Sequence, residues 1–272
     1  MPEVILGGHR FYYRTDEFCD PWVTPEVVIF HHGFARNHKL WYQWVPLLSD
    51  RYQCLRFDFR GHGASAPLEP GYLPTLDDMA LDVVRLLDHL GVEQAHFVGE
   101  SLGGLVGIWL GAYHAERMRS LVLLSTPVKV SEQGRHDFRA GAASWDAAFD
   151  NMSPGDWARQ TMGHRFDPNS TAPEYIDWVV EQAANTPVES LQRYAKLIED
   201  VDLTGGIPSV STPTLFVAGG SKLAPPDQAK FLQSCIPGSQ LEMLPAARHL
   251  VGYAMPRETA ALARAFWTDL KM

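Results

Sequence analysis

The sequence predicts an α/β domain: a mainly parallel sheet with helices on both faces and a helical insert. Two observations carry this. Short β-rich apolar runs at 26–32 (EVVIFHH), 52–59 (YQCLRFDF), 95–100 (AHFVGE), 120–125 (SLVLLS) and 213–220 (PTLFVAGG) are separated by segments of helical period. That alternation buries a parallel sheet beneath crossover helices. The strand signal then stops from about 128 to 210 and resumes at Pro213.

Taken in order, residues 3–16 read as a β-hairpin turning at Gly7-Gly8, the residue type such turns demand. The clearest helix begins at Thr75, an N-cap with Asp78 three residues on. Met79, Val83, Leu86, Leu87 and Leu90 share one face before Gly91 ends it. Between 128 and 210 lie short helical pieces (ASWDAAF, GDWARQTM, EYIDWVVEQAA, SLQRYAKLIE) separated by proline and glycine. The expected division is a core of 1–127 and 211–272 with a helical segment, 128–210, sitting over it.

A chain of 272 residues with 46% apolar content can bury one such core with an insert. No run of about 18 uncharged apolar residues occurs, and the start MPEVILGGHR lacks a basic end and apolar middle, so no membrane association and a cytoplasmic location are expected. Cys19, Cys54 and Cys235 are odd in number and never paired as CxxC, which points to neither a disulfide framework nor a zinc site. The net charge of −9 without a basic run argues against nucleic acid. A small-molecule substrate is the expected partner, and a homodimer is left open. No GxGxxG opens a first βα unit, so no nucleotide and no other cofactor is expected.

The chemistry centres on FVGESLGG. Gly99-x-Ser101-x-Gly103 at a strand-to-helix junction has the form of a nucleophile elbow, with Ser101 at the carboxyl end of a strand. The NH of Leu102 then becomes an oxyanion donor at a helix start. The loop HHGF (31–34) offers the NH of Phe34 as a second donor. His31 and His32 have no third partner in sequence that would make a metal site. Late in the chain, LPAARHLVGYAMP places His249 after the last apolar run, QLEML.

With these motifs the chain resembles the α/β-hydrolase superfamily. Over 31–127 it is similar in particular to 3-oxoadipate enol-lactonases and related small esterases, through HHGF, LRFDFRGHGAS, LDDMALDVVRLLDHLGVEQAHFVGESLGG and ERMRSLVLLSTP. The resemblance implies that Ser101 is the nucleophile, His249 the general base, and Phe34 and Leu102 the oxyanion donors. It places a cap at 128–210 and makes His62 part of a structural turn. His89, His96 and His114 fall in helices or strand starts and are expected to be structural.

The family's triad acid follows a late strand in the pattern Gly-x-x-Asp-x-x-x-Pro. Here Gly219 and Pro226 are in register and Lys222 stands at the aspartate position. A lysine opposes the imidazolium an acid would stabilise: unit charges about 4 Å apart repel by ~4 kcal/mol at an effective dielectric near 20. Asp227 could reach back, although it more naturally opens a helix. LLSTPVKV offers no carboxylate before Glu132. A Ser-His dyad, with Lys222 turned to solvent or serving another reaction, is the expected arrangement. Glu100 should point away from His249, because neighbours along a strand alternate faces. Arg248 and Ala254 replace the glycine before and the glutamate after the histidine that relatives often carry.

Trp145, Phe149, Trp157, Tyr175 and Trp178 are expected mainly to pack the insert, with one or two lining a pocket above Ser101. Arg36 reads equally as a carboxylate ligand or a surface residue. The function expected is a cofactor-independent serine hydrolase that cleaves a small carboxylic ester or lactone through an acyl-enzyme, with an atypical or missing acid. The alternatives are a lyase or C-C bond-cleaving member of the fold, or a ligand-binding relative with little hydrolysis.

Overall fold

The computed structural model describes residues 2–270; of the expected core, residues 1, 271 and 272 lie outside the described residues. Eight strands form one sheet: β1 (Glu3–Leu6), β2 (His9–Asp16), β3 (Glu26–His31), β4 (Tyr52–Asp58), β5 (Ala95–Glu100), β6 (Met118–Leu124), β7 (Thr214–Gly219) and β8 (Gln240–Leu244). Their order is β1-β2-β4-β3-β5-β6-β7-β8. The β1/β2 hairpin and the β2/β4 pair are antiparallel, and every later pairing is parallel. β5 and β7 are buried at every position, as a parallel sheet covered on both faces requires.

The core helices are α1 (Val45–Leu48), α2 (Leu76–His89) and α3 (Leu102–Tyr113). Between β6 and β7 come α4 (Glu132–Phe138), α5 (Trp145–Asn151), α6 (Pro154–Thr161), α7 (Pro173–Ala184) and α8 (Val188–Asp200). The chain ends in α9 (Pro226–Cys235), α10 (Val251–Ala254) and α11 (Pro256–Asp269). The start of α2 is fixed by Thr75, whose side chain accepts from Asp78 N at 3.0 Å. None of these helices is long and apolar enough to cross a membrane.

Buried polar contacts fasten the layers. Trp267 of α11 donates through Nε1 to Ser120 Oγ at 2.9 Å, and the same hydroxyl lies 2.7 Å from His96 Nδ1. His96 is therefore part of the core. Trp44 Nε1 donates to Gly252 O at 2.7 Å, tying the segment after β3 to the turn after His249.

The topology itself says where a ligand should sit. From β3 the chain passes to β4 on one side of the sheet, then crosses to β5 on the other. The crevice at the carboxyl ends of β3 and β5 is thus the point at which strand order reverses, the usual ligand position in open α/β sheets.

Candidate active site

Ser101 stands at that crevice, at φ 57° and ψ −111° between β5 and α3. A non-glycine residue held there costs of order 1–3 kcal/mol. The turn closes only because its neighbours lack side chains. A Cβ on Gly99 would lie 2.3 Å from Gly103 O, and one on Gly103 would lie 2.4 Å from His31 O. His249, in the loop between β8 and α10, brings Nε2 to 2.9 Å from Ser101 Oγ. The loop is held by Gly220 N donating to Ala247 O at 2.7 Å and Leu250 N to Arg165 O at 3.2 Å.

The structure gives the imidazole a neighbour that the sequence reading did not name. Ser221, not Lys222, faces His249: its Oγ is 3.2 Å from Nδ1. The Ser221 hydroxyl also accepts from Leu223 N at 3.0 Å and Ala224 N at 3.1 Å. This local turn rolls residue 221 inward, and Lys222, the next residue along, points outward and is exposed. Lys222 lines an open cleft of about 480 Å³ with His164 and Arg248. Asp227 does not reach back. It lies in the first turn of α9, its side chain 94% exposed and 3.7 Å from Lys230.

Phe34 follows β3 beside the serine, since a Cβ on Gly33 would lie 3.4 Å from Ser101 Cβ. The next amide, Ala35 N, donates to His62 Nε2 at 3.3 Å. Through that bond His62 pins the loop that carries Phe34. Leu102 is the first residue of α3, where an N–H has no partner within the helix.

The charged groups around the site were the least legible. Arg36 is 1% exposed, which removes the surface alternative, and Arg165 is 3% exposed. Arg36 gives Nη1 to Ala35 O at 2.7 Å, while its Nε has no partner. Arg165 gives Nη1 to Thr161 O at 2.8 Å and lies over the rings of Phe138 and Trp157 at 5.1 and 4.8 Å, with Nη2 unpartnered. Neither makes an ion pair among the described residues. Burial lowers Arg36 to about 10, and burial reinforced by Arg36 pulls Arg165 down as well; both keep their charge at neutral pH.

Glu100 is fully buried, and its Oε2 accepts from Gly252 N at 2.8 Å. Burial pushes its carboxyl up to about 8, so it is protonated at neutral pH. His249 is driven the other way, to about 3, first by burial and then by Arg165 and Arg36. At neutral pH the site therefore combines a neutral histidine, a neutral carboxyl and two buried cations.

Above the serine the space is small. A cavity of about 20 Å³ touches Ser101 and His249, walled by Val130, Phe138, Ile198 and Leu223. That is room on the scale of one water. Of Trp145, Phe149, Trp157, Tyr175 and Trp178, of which one or two were expected to line a pocket above Ser101, none lines it. Trp145 and Trp157 pack within the helices between β6 and β7, as expected of most of the five, and their indole N–H groups reach Glu199 Oε1 at 2.9 Å and Phe138 O at 2.8 Å. Buried indoles need such acceptors, and the sequence signal for Phe138 was merely one phenylalanine among several. Among the described residues no cluster of three or more His, Cys, Asp or Glu could hold a metal ion.

Comparison with known proteins identifies the fold family. Residues 26–253 match a family model described as the alpha/beta hydrolase fold. The chain is 27% identical to 3-oxoadipate enol-lactonase 1 of Acinetobacter baylyi across 85% of both chains. It is 30% identical to the pimeloyl-[acyl-carrier protein] methyl ester esterase of Aeromonas hydrophila across 86% of this chain and 92% of that one. A solved hydrolase from Pseudomonas aeruginosa PA01 superimposes with a TM-score of 0.85 at 26% identity, covering 98% of this chain and 97% of the other. With the elbow, the histidine and the strand order all in place, the chain belongs to the alpha/beta hydrolase fold family and is, at that level, a hydrolase.

Proposed function

We propose that the protein is a cofactor-independent serine hydrolase that cleaves a small carboxylic ester or lactone, itself carrying a free carboxylate, through an acyl-enzyme on Ser101. The observation that carries this is the 2.9 Å approach of His249 Nε2 to the hydroxyl of a serine on a strained elbow. His249 takes the Ser101 proton as Oγ attacks the carbonyl carbon. The amides of Phe34 and Leu102 hold the tetrahedral oxyanion. The imidazolium then returns the proton to the departing alkoxide, and water repeats the sequence on the acyl-enzyme to release the acid. The segment 128–210 acts as a cap, and Phe138 must move for substrate to enter a space of about 20 Å³.

The carboxylate requirement comes from Arg36 and Arg165. Two buried guanidinium groups with unpartnered N–H atoms beside a neutral histidine are costly without an anion. A substrate carboxylate supplies one, and the relatives named for an enol-lactone and a methyl ester fit an ester or lactone substrate. The basic cleft of Lys222, His164 and Arg248 lies on the far side of the same loops and favours the approach of an anion.

The test is intact-protein mass after incubation with a fluorophosphonate probe, with Ser101→Ala as control. One adduct per chain that disappears in the mutant is expected. No adduct on the wild-type protein, nor on a variant that places a carboxylate beside His249 Nδ1, would refute the serine mechanism and turn the search to a ligand-binding relative.

A further inference from the structure

Ser221 occupies the place from which a triad acid would orient the imidazole, and its hydrogen bonds determine what it does there. A hydroxyl has two acceptor sites and one proton. The amides of Leu223 and Ala224, at 3.0 and 3.1 Å, use both acceptor sites of Ser221 Oγ. The proton remains, and His249 Nδ1 at 3.2 Å is the acceptor within reach. The opposite assignment, with Nδ1–H donating to Oγ, crowds three donors onto one oxygen. It also leaves the proton of a 4% exposed hydroxyl without an acceptor, an arrangement folded proteins avoid.

We infer that Ser221 is a positioning residue that holds His249 in the tautomer with its proton on Nε2, the reverse of the form that can take a proton from Ser101. The tautomer follows from the hydrogen-bond network. In this state Nε2–H donates to Ser101 Oγ across 2.9 Å, and the serine is latent. Activation requires one proton to leave Nε2 and one to arrive at Nδ1 through solvent, with the Ser221 O–H turning away and no net change of charge. An aspartate at 221 selects the other tautomer, because an ionised carboxylate only accepts, and it still accepts from the following amides as short acidic side chains do in turns. The role given to Ser221 rests on Ser101 being the nucleophile of the proposed hydrolase; the tautomer itself does not.

The experiment is long-range ¹H–¹⁵N correlation NMR on the full chain labelled at histidine nitrogen, with His249 assigned by His249→Asn. The fluorophosphonate labelling rate of each variant is measured in parallel. Wild-type protein and Ser221→Thr should both show the Nε2–H pattern. Ser221→Asp should show the Nδ1–H pattern and label at least ~10-fold faster, against a ceiling of ~10⁴, the cost of a wrong tautomer in a serine protease. Ser221→Ala should lose the pure Nε2–H pattern without a change in circular dichroism, which keeps the inference falsifiable if Ser221→Asp does not fold. A wild-type Nδ1–H pattern, or a pure Nε2–H pattern retained in Ser221→Ala, would overturn the inference whatever the labelling rates. If the tautomers follow the expectation but no variant labels, the tautomer assignment stands and the hydrolase proposal fails.

Discussion

Replacing Glu100 by glutamine probes the electrostatic state of the site. The carboxyl is fully buried behind Ser101, with Oε2 bonded to Gly252 N at 2.8 Å. The groups that bear on it are the Gly252 amide, the Ser125 hydroxyl, the Val251 amide and Arg36, and it in turn raises the hydroxyls of Tyr175 and Tyr253. Burial raises its pKa from 4.5 to about 8 against the pull of the Gly252 amide and Arg36. Between those values the native protein keeps a proton that the unfolded chain has released, so stability falls as pH rises through the window and levels off above it. The whole span corresponds to on the order of 5 kcal/mol. Glutamine preserves the shape and the bond from Gly252 N but does not titrate. Thermal denaturation from pH 5 to pH 9 should therefore show Glu100→Gln gaining on the wild type, with the Tm difference widening by about 10 °C. A Tm difference that stays constant with pH would refute the argument. The same variant has a kinetic consequence: ionised Glu100 competes for Arg36, so KM for a carboxylate-bearing ester should rise above pH 8 in the wild type and stay level in the variant.

Arg36→Met and Arg165→Met should each raise KM for carboxylate-bearing esters by ~10- to 100-fold, the loss of a charged hydrogen bond, with neutral methyl esters affected less in initial-rate assays. Because His249 must be neutral to act as a base and its pKa is lowered to about 3, the acid limb of kcat/KM should lie well below pH 6.5. In Arg165→Met it should move upward; a limb at pH 6.5 in the wild type would contradict the electrostatics described. Phe138→Ala should open the cavity over Ser101 and admit bulkier acyl groups. It should also lower stability by about 3–5 kcal/mol in urea titrations, as large-to-small changes in a core do.

How much of this was legible in the sequence depended on whether the signal was local. The elbow is a local signal: Gly99 and Gly103 are required within five residues of chain, because a Cβ at either meets a carbonyl oxygen at 2.3 or 2.4 Å. The helix of 76–89 and the hairpin at Gly7-Gly8 were readable for the same reason. Lys222 is exposed, as one of the expected arrangements had it, but Ser221 beside it was overlooked. Counting along Gly-x-x-Asp assumes a fixed turn, whereas here the Leu223 and Ala224 amides converge on Ser221 Oγ and rotate that residue toward His249. Arg36 and Arg165 were undecidable, since they lie 129 positions apart in the chain and their burial is produced by the insert folding back onto the loop after β3. The expectation that one or two of the five insert aromatics line the pocket failed for a related reason. Composition reports that rings are present, but the acceptors on Glu199 and Phe138 decide which way they face.

In the proposed hydrolase, recognition would be coupled to catalysis. In a conventional triad the imidazolium that forms during attack is balanced by a carboxylate of the protein. Here Glu100, the buried carboxyl next to the nucleophile in the chain, is protonated, Ser221 is neutral, and Arg36 and Arg165 oppose a third positive charge. A substrate carboxylate seated on the two arginines changes that balance at the moment it is needed, because it offsets their charge while His249 gains a proton. A neutral ester of the same shape leaves the opposition in place. Discrimination should therefore appear in kcat as well as in KM, which marks an interaction worth more in the transition state than in the ground state. A carboxylate-bearing ester and its methylated analogue that differed in KM alone would show that the arginines only bind.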